Sequence, residues 1–129
     1  MEQARLSTER LRLVPLADEH LEHEVELDAD HEVMRYLAHG PSSREVTERA
    51  HRDRLEQARS MPGMGLWAGF ADRQFVGWWL LRTRSRTPDD REIELGYRLL
   101  RRFWRQGLAG EGSRELVRHA FEEDRKSHV

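Results

Sequence analysis

The chain has no cysteine, which excludes disulfides, thiolate nucleophiles and cysteine-ligated zinc or iron–sulfur sites. No apolar run approaches the roughly 20 residues of a membrane-spanning helix, and "MEQARLSTERLRL" holds no apolar stretch of signal-peptide length. A cytoplasmic protein with no membrane partner is therefore expected. Lysine is almost missing: of 22 basic residues, only Lys126 is a lysine. Either a codon bias or a need for forked donors accounts for that. An excess of one charge sign is also absent, since 22 basic and 24 acidic residues leave a formal charge of −2. Uniform attraction to nucleic acid or anionic lipid is not implied, so no nucleic-acid partner is expected and only local clusters can matter.

What is present is a single domain of 129 residues with a thin core. Charged residues make up 36% and apolar residues 37%, against an average charged share of roughly 25%. Apolar periodicity nevertheless survives along the chain. In "ERLRLVPLA" Leu11 and Leu13 face one way and Arg10 and Arg12 the other, as in a half-buried strand. "DEHLEHEVEL" reads as a helix capped by Asp18, and "DHEVMRYL" as a second short helical stretch with Val33, Met34 and Leu37 on one side. "GPSSREVTERAHRDRLEQARS" opens with Ser42 and Glu45 in capping-box spacing. Its Val46, Ala50 and Leu55 make only a narrow stripe, as on an exposed polar helix.

After the breaker "MPGMG", the segments "LWAGFA" and "FVGWWLLRT" read as a hairpin turning at "DRQ". The second arm is apolar on both faces and belongs in the middle of a sheet. "RSRTPDD" reads as a polar loop. "REIELGYRLL" alternates again, with Ile93, Leu95, Tyr97 and Leu99 on one face and Glu92, Glu94, Gly96 and Arg98 on the other. In the final helix, Leu108, Gly112, Leu116 and Ala120 form one buried stripe beside Ala109, Val117 and Phe121; "DRKSHV" is an unpatterned tail. The order of elements is β, α, α, β, β, β, α.

Between the last strand and the last helix stands "YRLLRRFWRQGLAGEG". A helix N-terminus leaves backbone N–H groups unpaired and carries partial positive charge. Glycine there lets an anion approach the main chain, and Arg101, Arg102 and Arg105 add positive potential. A phosphate seat and a plain turn with solvated arginines both fit this pattern. The P-loop does not, because Gly112 is followed by Ser113-Arg114; nor does G-x-G-x-x-G, because the spacing of Gly107, Gly110 and Gly112 is the reverse.

"RQGLAGEG" after "IELGYRLL" resembles the acetyl-CoA loop of the GNAT N-acetyltransferases, and within them the RimJ/RimL type. That loop has the form Q/R-x-x-G-x-G/A, whose G-x-A half is matched by Gly107-Leu108-Ala109; Arg105 stands where the subgroup prefers glycine. "TERLRLVPL", "HEVMRYL" and "FVGWWLL" also read like this family, so the resemblance covers about residues 6–123. It implies an α/β (α+β) fold with a mixed, mostly antiparallel sheet flanked by helices. It implies acetyl-CoA as co-substrate, a primary amine (protein N-terminus or small molecule) as acceptor, and no metal. Backbone groups of Arg105, Gln106, Gly107, Leu108, Ala109 and Gly110 would bind the pyrophosphate. Main-chain groups of Tyr97, Arg98 and Leu99 would pair with the pantetheine arm.

Acetyl transfer requires the amine to lose a proton and the thioester oxygen to meet a donor. Glu94, in the subgroup's "E-x-G-Y" context, is the expected base or amine-positioning group; pairing with Arg82 or Arg98 is the competing reading. His20 and His23 are three apart on a helix, but no third ligand matches, so a solvated face is expected. Of Trp78 and Trp79, which alternate across a strand, one belongs in the core and the other beside a cleft. Arg82, Arg84 and Arg86 read as a solvated strand end beside the Asp89-Asp90-Glu92 run.

The resemblance also implies a further strand, helix and hairpin after the last helix, whereas this chain stops at Val129. The expectation is an incomplete domain, truncated at its C-terminus, whose last strand has an exposed edge. Pairing as a homodimer is one way to restore that wall. With no cysteine to carry an acetyl group, transfer would be direct. The alternatives are an inactive remnant that binds coenzyme A or a partner chain, and an arginine-rich RNA-binding module. The last lacks any RNP-like aromatic pattern.

Overall fold

The computed structural model describes residues 3–37, 39–60, 63–87 and 90–127, with side chains described outside 83–91 and 124–127. Its strands are β1 (Leu6–Ser7), β2 (Arg12–Pro15), β3 (Gly65–Ala71), β4 (Gln74–Thr87) and β5 (Asp90–Leu99). Its helices are α1 (Leu21–Ala29), α2 (Arg44–Arg59) and α3 (Leu108–Ser127), with short 3-10 turns at Asp18–His20 and Arg101–Phe103. The five strands form one sheet in the order β1-β2-β3-β4-β5, every neighbouring pair antiparallel. The expected mixed sheet is thus wholly antiparallel among the described strands.

β4 is an inner strand, paired on both sides with β3 and β5, as its doubly apolar sequence requires. Trp67, Trp79, Leu81 and Leu99 face α3, where Leu108, Leu116 and Ala120 complete one core. Leu66, Ala68, Phe75 and Trp78 face the other way, onto Leu16 and Leu27. The Trp79/Trp78 division matches the expected one: the first is in the core and the second lines a cavity. The β3–β4 turn is Asp72-Arg73, both at positive φ (48° and 67°), the geometry that fits the twist of a two-residue hairpin.

The expected first strand is β2, with Leu11 and Leu13 buried and Arg10 and Arg12 exposed, and the two-residue β1 pairs with it from just before the expected segment. Four local expectations are corrected. Residues 31–36 are successive turns rather than a helix. Asp30 Oδ1 accepts from the N–H groups of Glu32 and Val33 at 2.8 and 3.2 Å, a local bond that competes with helix formation. Ser43, not Ser42, caps α2 by accepting from the Val46 N–H at 3.3 Å, while the Ser42 N–H donates to the Asp28 carbonyl. Asp18 lies inside a 3-10 turn and faces His51 instead of capping α1. The "RSRTPDD" loop is largely strand, because backbone pairing continues through Arg84↔Glu92 and Thr87↔Asp90 whatever the side chains. The side chains of Arg84 and Arg86 lie outside the described set, as do the side chains of the 124–129 tail, whose backbone extends α3 to Ser127.

Helix α3 sits tightly on the sheet at Gly112. A Cβ there would stand 2.5 Å from Trp79 Cε2, and the fully buried indole has no room to retreat. Gly112→Val is expected to destabilise the fold by about 2–3 kcal/mol. A Cβ at Gly110 meets only the end of the Arg114 side chain, at 3.1 Å, so Gly110→Ala should be neutral or stabilising by up to about 1 kcal/mol. Urea denaturation of the two variants checks both; equal destabilisation would contradict this packing.

Candidate active site

The chain leaves β5 at Leu99, makes the 3-10 turn Arg101–Phe103, and enters α3 at Leu108. Two residues in this passage have left-handed backbones, Arg105 at φ 62° and Gly107 at φ 78°. That bend turns successive amides the same way, as in an anion-binding nest. Among the described residues, no protein acceptor takes the N–H of Arg105, Gln106, Gly107, Leu108, Ala109 or Gly110; the ladder resumes with Glu111 N–H to the Gly107 carbonyl at 3.0 Å. The six expected loop positions therefore present free donors at the positive end of a 20-residue helix. Arg105 also explains the preference for glycine noted above: a side chain at positive φ costs about 1 kcal/mol or more.

A cavity of about 460 Å³ adjoins this bend, lined in part by Arg105, Gly107, Leu108 and Ala109 and by Tyr97, Arg98 and Leu99. Tyr97 and Arg98 point to opposite faces of the sheet, so the cavity curls round the outer edge of β5. That edge has no strand partner among the described residues. Its last carbonyl, that of Leu99, accepts the Trp104 indole N–H at 2.8 Å. All the expected loop and strand residues except Gln106 and Gly110 line this one cavity. Gln106 is turned away, with its side-chain amide on the Arg102 carbonyl.

Sequence reasoning missed the groups that hold the bend. Arg10, in the β1–β2 turn, donates through Nη1 to the Gln106 carbonyl at 2.7 Å. Its Nε and main-chain N–H both donate to Glu111, at 2.7 and 2.9 Å, and Thr8 Oγ1 donates to the same carboxylate. The Thr8 hydroxyl first, and then Arg10, hold the Glu111 carboxyl below its ordinary value against some desolvation. A residue separation of 101 leaves no local signal for such a pair.

A second polar assembly lies between α1 and α2. Glu24, fully buried, faces His51 Nδ1 and Arg54 Nη1, and His51 Nε2 is 3.1 Å from Asp18 Oδ1. Asp28 accepts from Arg98 Nη1 at 2.6 Å and from Thr47 Oγ1 at 3.2 Å. The Arg54 and Arg98 guanidiniums lie 5.4 and 5.0 Å from the centre of the Trp78 ring. The expected narrow apolar stripe of α2 is thus replaced by Thr47 and His51 as its buried residues. His20 and His23 are not solvated: burial holds the His20 imidazole below its ordinary value, and His23 stacks on Phe75 at 4.6 Å.

Glu94 stands opposite Arg82 in the β4–β5 register. Arg82 Nε and Nη2 donate to its two oxygens at 2.7 and 2.8 Å, a bidentate pair that keeps the guanidinium firmly protonated. Glu94 does not line the cavity.

A five-stranded antiparallel sheet between helical layers, with an unpaired glycine-containing bend opening the last helix, matches the acetyltransferase (GNAT) domain family over residues 10–129, and the chain belongs to that family. Its relatives include the FsC-acetyl coenzyme A-N(2)-transacetylase of Aspergillus fumigatus, 44% identical over 94% of this chain. The chain spans 54% of that relative's length. Among solved structures, a GNAT-family acetyltransferase from Bacillus anthracis superposes with a TM-score of 0.76 at 18% identity, covering 95% of this chain and 69% of its own. The RimL ribosomal L7/L12 α-N-protein acetyltransferase in complex with coenzyme A gives 0.72 at 16% identity, covering 90% and 67%. At those identities the likeness establishes the fold.

Two outcomes follow for the bend. Arg105→Gly should raise stability by about 0.5–1 kcal/mol in thermal or urea melts, because the strain is removed; a loss would contradict it. The Glu111 carboxyl is lowered from 4.5 on folding, so its contribution is present above that value and fades as pH falls through the folded one. The stability gap between the native chain and Glu111→Gln should therefore be full at pH 7 and shrink only as the pH falls below 4.5 toward the lowered folded value.

Proposed function

We propose that this chain forms the coenzyme A-binding part of an acetyl-CoA-dependent N-acetyltransferase acting on a primary amine. The observation that carries the reading is the run of unpaired amides from Arg105 to Gly110 beside a cavity at the head of α3. Backbone donors on a positive helix end match a pyrophosphate without needing particular side chains. The outer edge of β5 at Tyr97, Arg98 and Leu99 offers main-chain groups to an amide-bearing arm as a neighbouring strand would. The fungal relative's name, with acetyl coenzyme A and a nitrogen position in it, supports the same chemistry.

The amine nitrogen attacks the thioester carbon directly, since these 129 residues hold no cysteine to carry the acetyl group. The carbon–sulfur bond breaks, the amine gives up a proton and the leaving thiolate gains one. Glu94 is the group we assign to the amine side. Arg82 donates to both of its oxygens and fixes the carboxylate in place on β5. A second reading, coenzyme A binding without turnover, is favoured by the position of Glu94 outside the cavity wall.

Calorimetric titration with acetyl-CoA tests the binding. Gly107→Glu combines a side chain at positive φ with a carboxylate where the anion would sit, and affinity should fall by about a hundredfold or more; unchanged affinity would remove the loop assignment. Release of free thiol in the presence of amines separates the two readings. If turnover is seen, Glu94→Gln should lower kcat by about a hundredfold and leave acetyl-CoA affinity intact.

A further inference from the structure

The same cavity carries information about the acceptor, on the premise that its loop side holds coenzyme A. Away from the loop its wall is Val33, Tyr36 and Leu37 from the turns after α1, with Trp78 on the sheet. These side chains are aromatic or branched aliphatic, and Tyr36 and Leu37 are exposed at the surface. No carboxylate lines the cavity among the described residues, while Arg98 and Arg105 both do.

The acidic groups nearest this wall are already engaged. Asp28 holds Arg98 and Thr47; Glu24 holds His51 and Arg54; Glu94 holds Arg82. On the turns themselves, Asp30 accepts two main-chain N–H groups and Glu32 lies 3.9 Å from Arg35. A ligand with several ammonium groups would lose hydration there and gain no counter-charge from the side chains of the wall.

We propose that the acceptor is a monoamine carried on an aromatic or branched apolar body, and not a polycation such as a polyamine or an aminoglycoside. The amine, once neutral, leaves such a molecule without charge, which suits a wall of Tyr36, Leu37 and Trp78.

The test measures acceptor binding rather than turnover, so it does not depend on activity. The chain is saturated with coenzyme A and titrated calorimetrically with phenylalaninamide, 2-phenylethylamine and spermidine. Phenylalaninamide should bind at least about tenfold tighter than spermidine. 2-Phenylethylamine, which shares the aromatic body, should likewise bind more tightly than spermidine. Leu37→Asp, at an exposed position that tolerates a charge, should narrow the gap between phenylalaninamide and spermidine. Spermidine binding as tightly as the aromatic amines, or no amine binding detectably, would overturn the proposal. If coenzyme A itself fails to bind, the loop reading fails separately, and the same amine titrations on the free chain still decide the character of the wall.

Discussion

The structure depends on a left-handed bend between Arg105 and Gly107 that is held open from outside. Left to itself, a helix start draws in a side chain or an earlier carbonyl to satisfy its first N–H groups. Here Arg10 takes the Gln106 carbonyl and Glu111 together, so the loop is anchored through its acceptor groups while its donors stay free. The sheet fixes the other side: Gly112 lets α3 approach Trp79 closely enough for the indole N–H to reach the Ala109 carbonyl at 3.2 Å. A free row of donors is costly unless a ligand or water completes it, and Arg105 adds strain of its own. Strain and unpaired donors thus coincide at one turn, beside a cavity and at a positive helix end, which is the arrangement the proposed anion site calls for.

The second constraint is the polar seam between α1 and α2. A chain that is 36% charged places part of that charge inside, where Glu24 and Asp28 gather His51, Arg54, Thr47 and Arg98. Removing one member would leave another buried and unpaired, so the seam acts as a unit. Through Arg98 and the Trp78 ring it reaches the cavity wall. It thereby joins the helical layer to the site and uses up the carboxylates that would otherwise attract cationic ligands.

Much of this was legible in the sequence where a period or a turn signal governs. The β3–β4 hairpin, the inner place of β4, the stripe Leu108–Gly112–Leu116–Ala120 and the start of α3 all follow from composition and spacing. Within the site, the loop from Arg105 to Gly110 was legible because glycines and a helix start coincide. What was hidden has two physical sources. Side chains that bond to nearby backbone override periodicity, as Asp30 does after α1 and Ser43 before α2. Long-range polar pairs such as Arg10–Glu111 and His51–Glu24 leave no trace in a local window. His20 and His23, expected on a solvated face, are instead buried in the first case and stacked on Phe75 in the second.

The account stands on those six amides receiving an anion. Amide NMR on the isotope-labelled chain, with coenzyme A added stepwise, reads each of them directly. The resonances of Arg105 to Gly110 should move most and become protected from hydrogen exchange, while those of α2 stay in place. Shifts confined to other parts of the chain, or none at saturating coenzyme A, would contradict it.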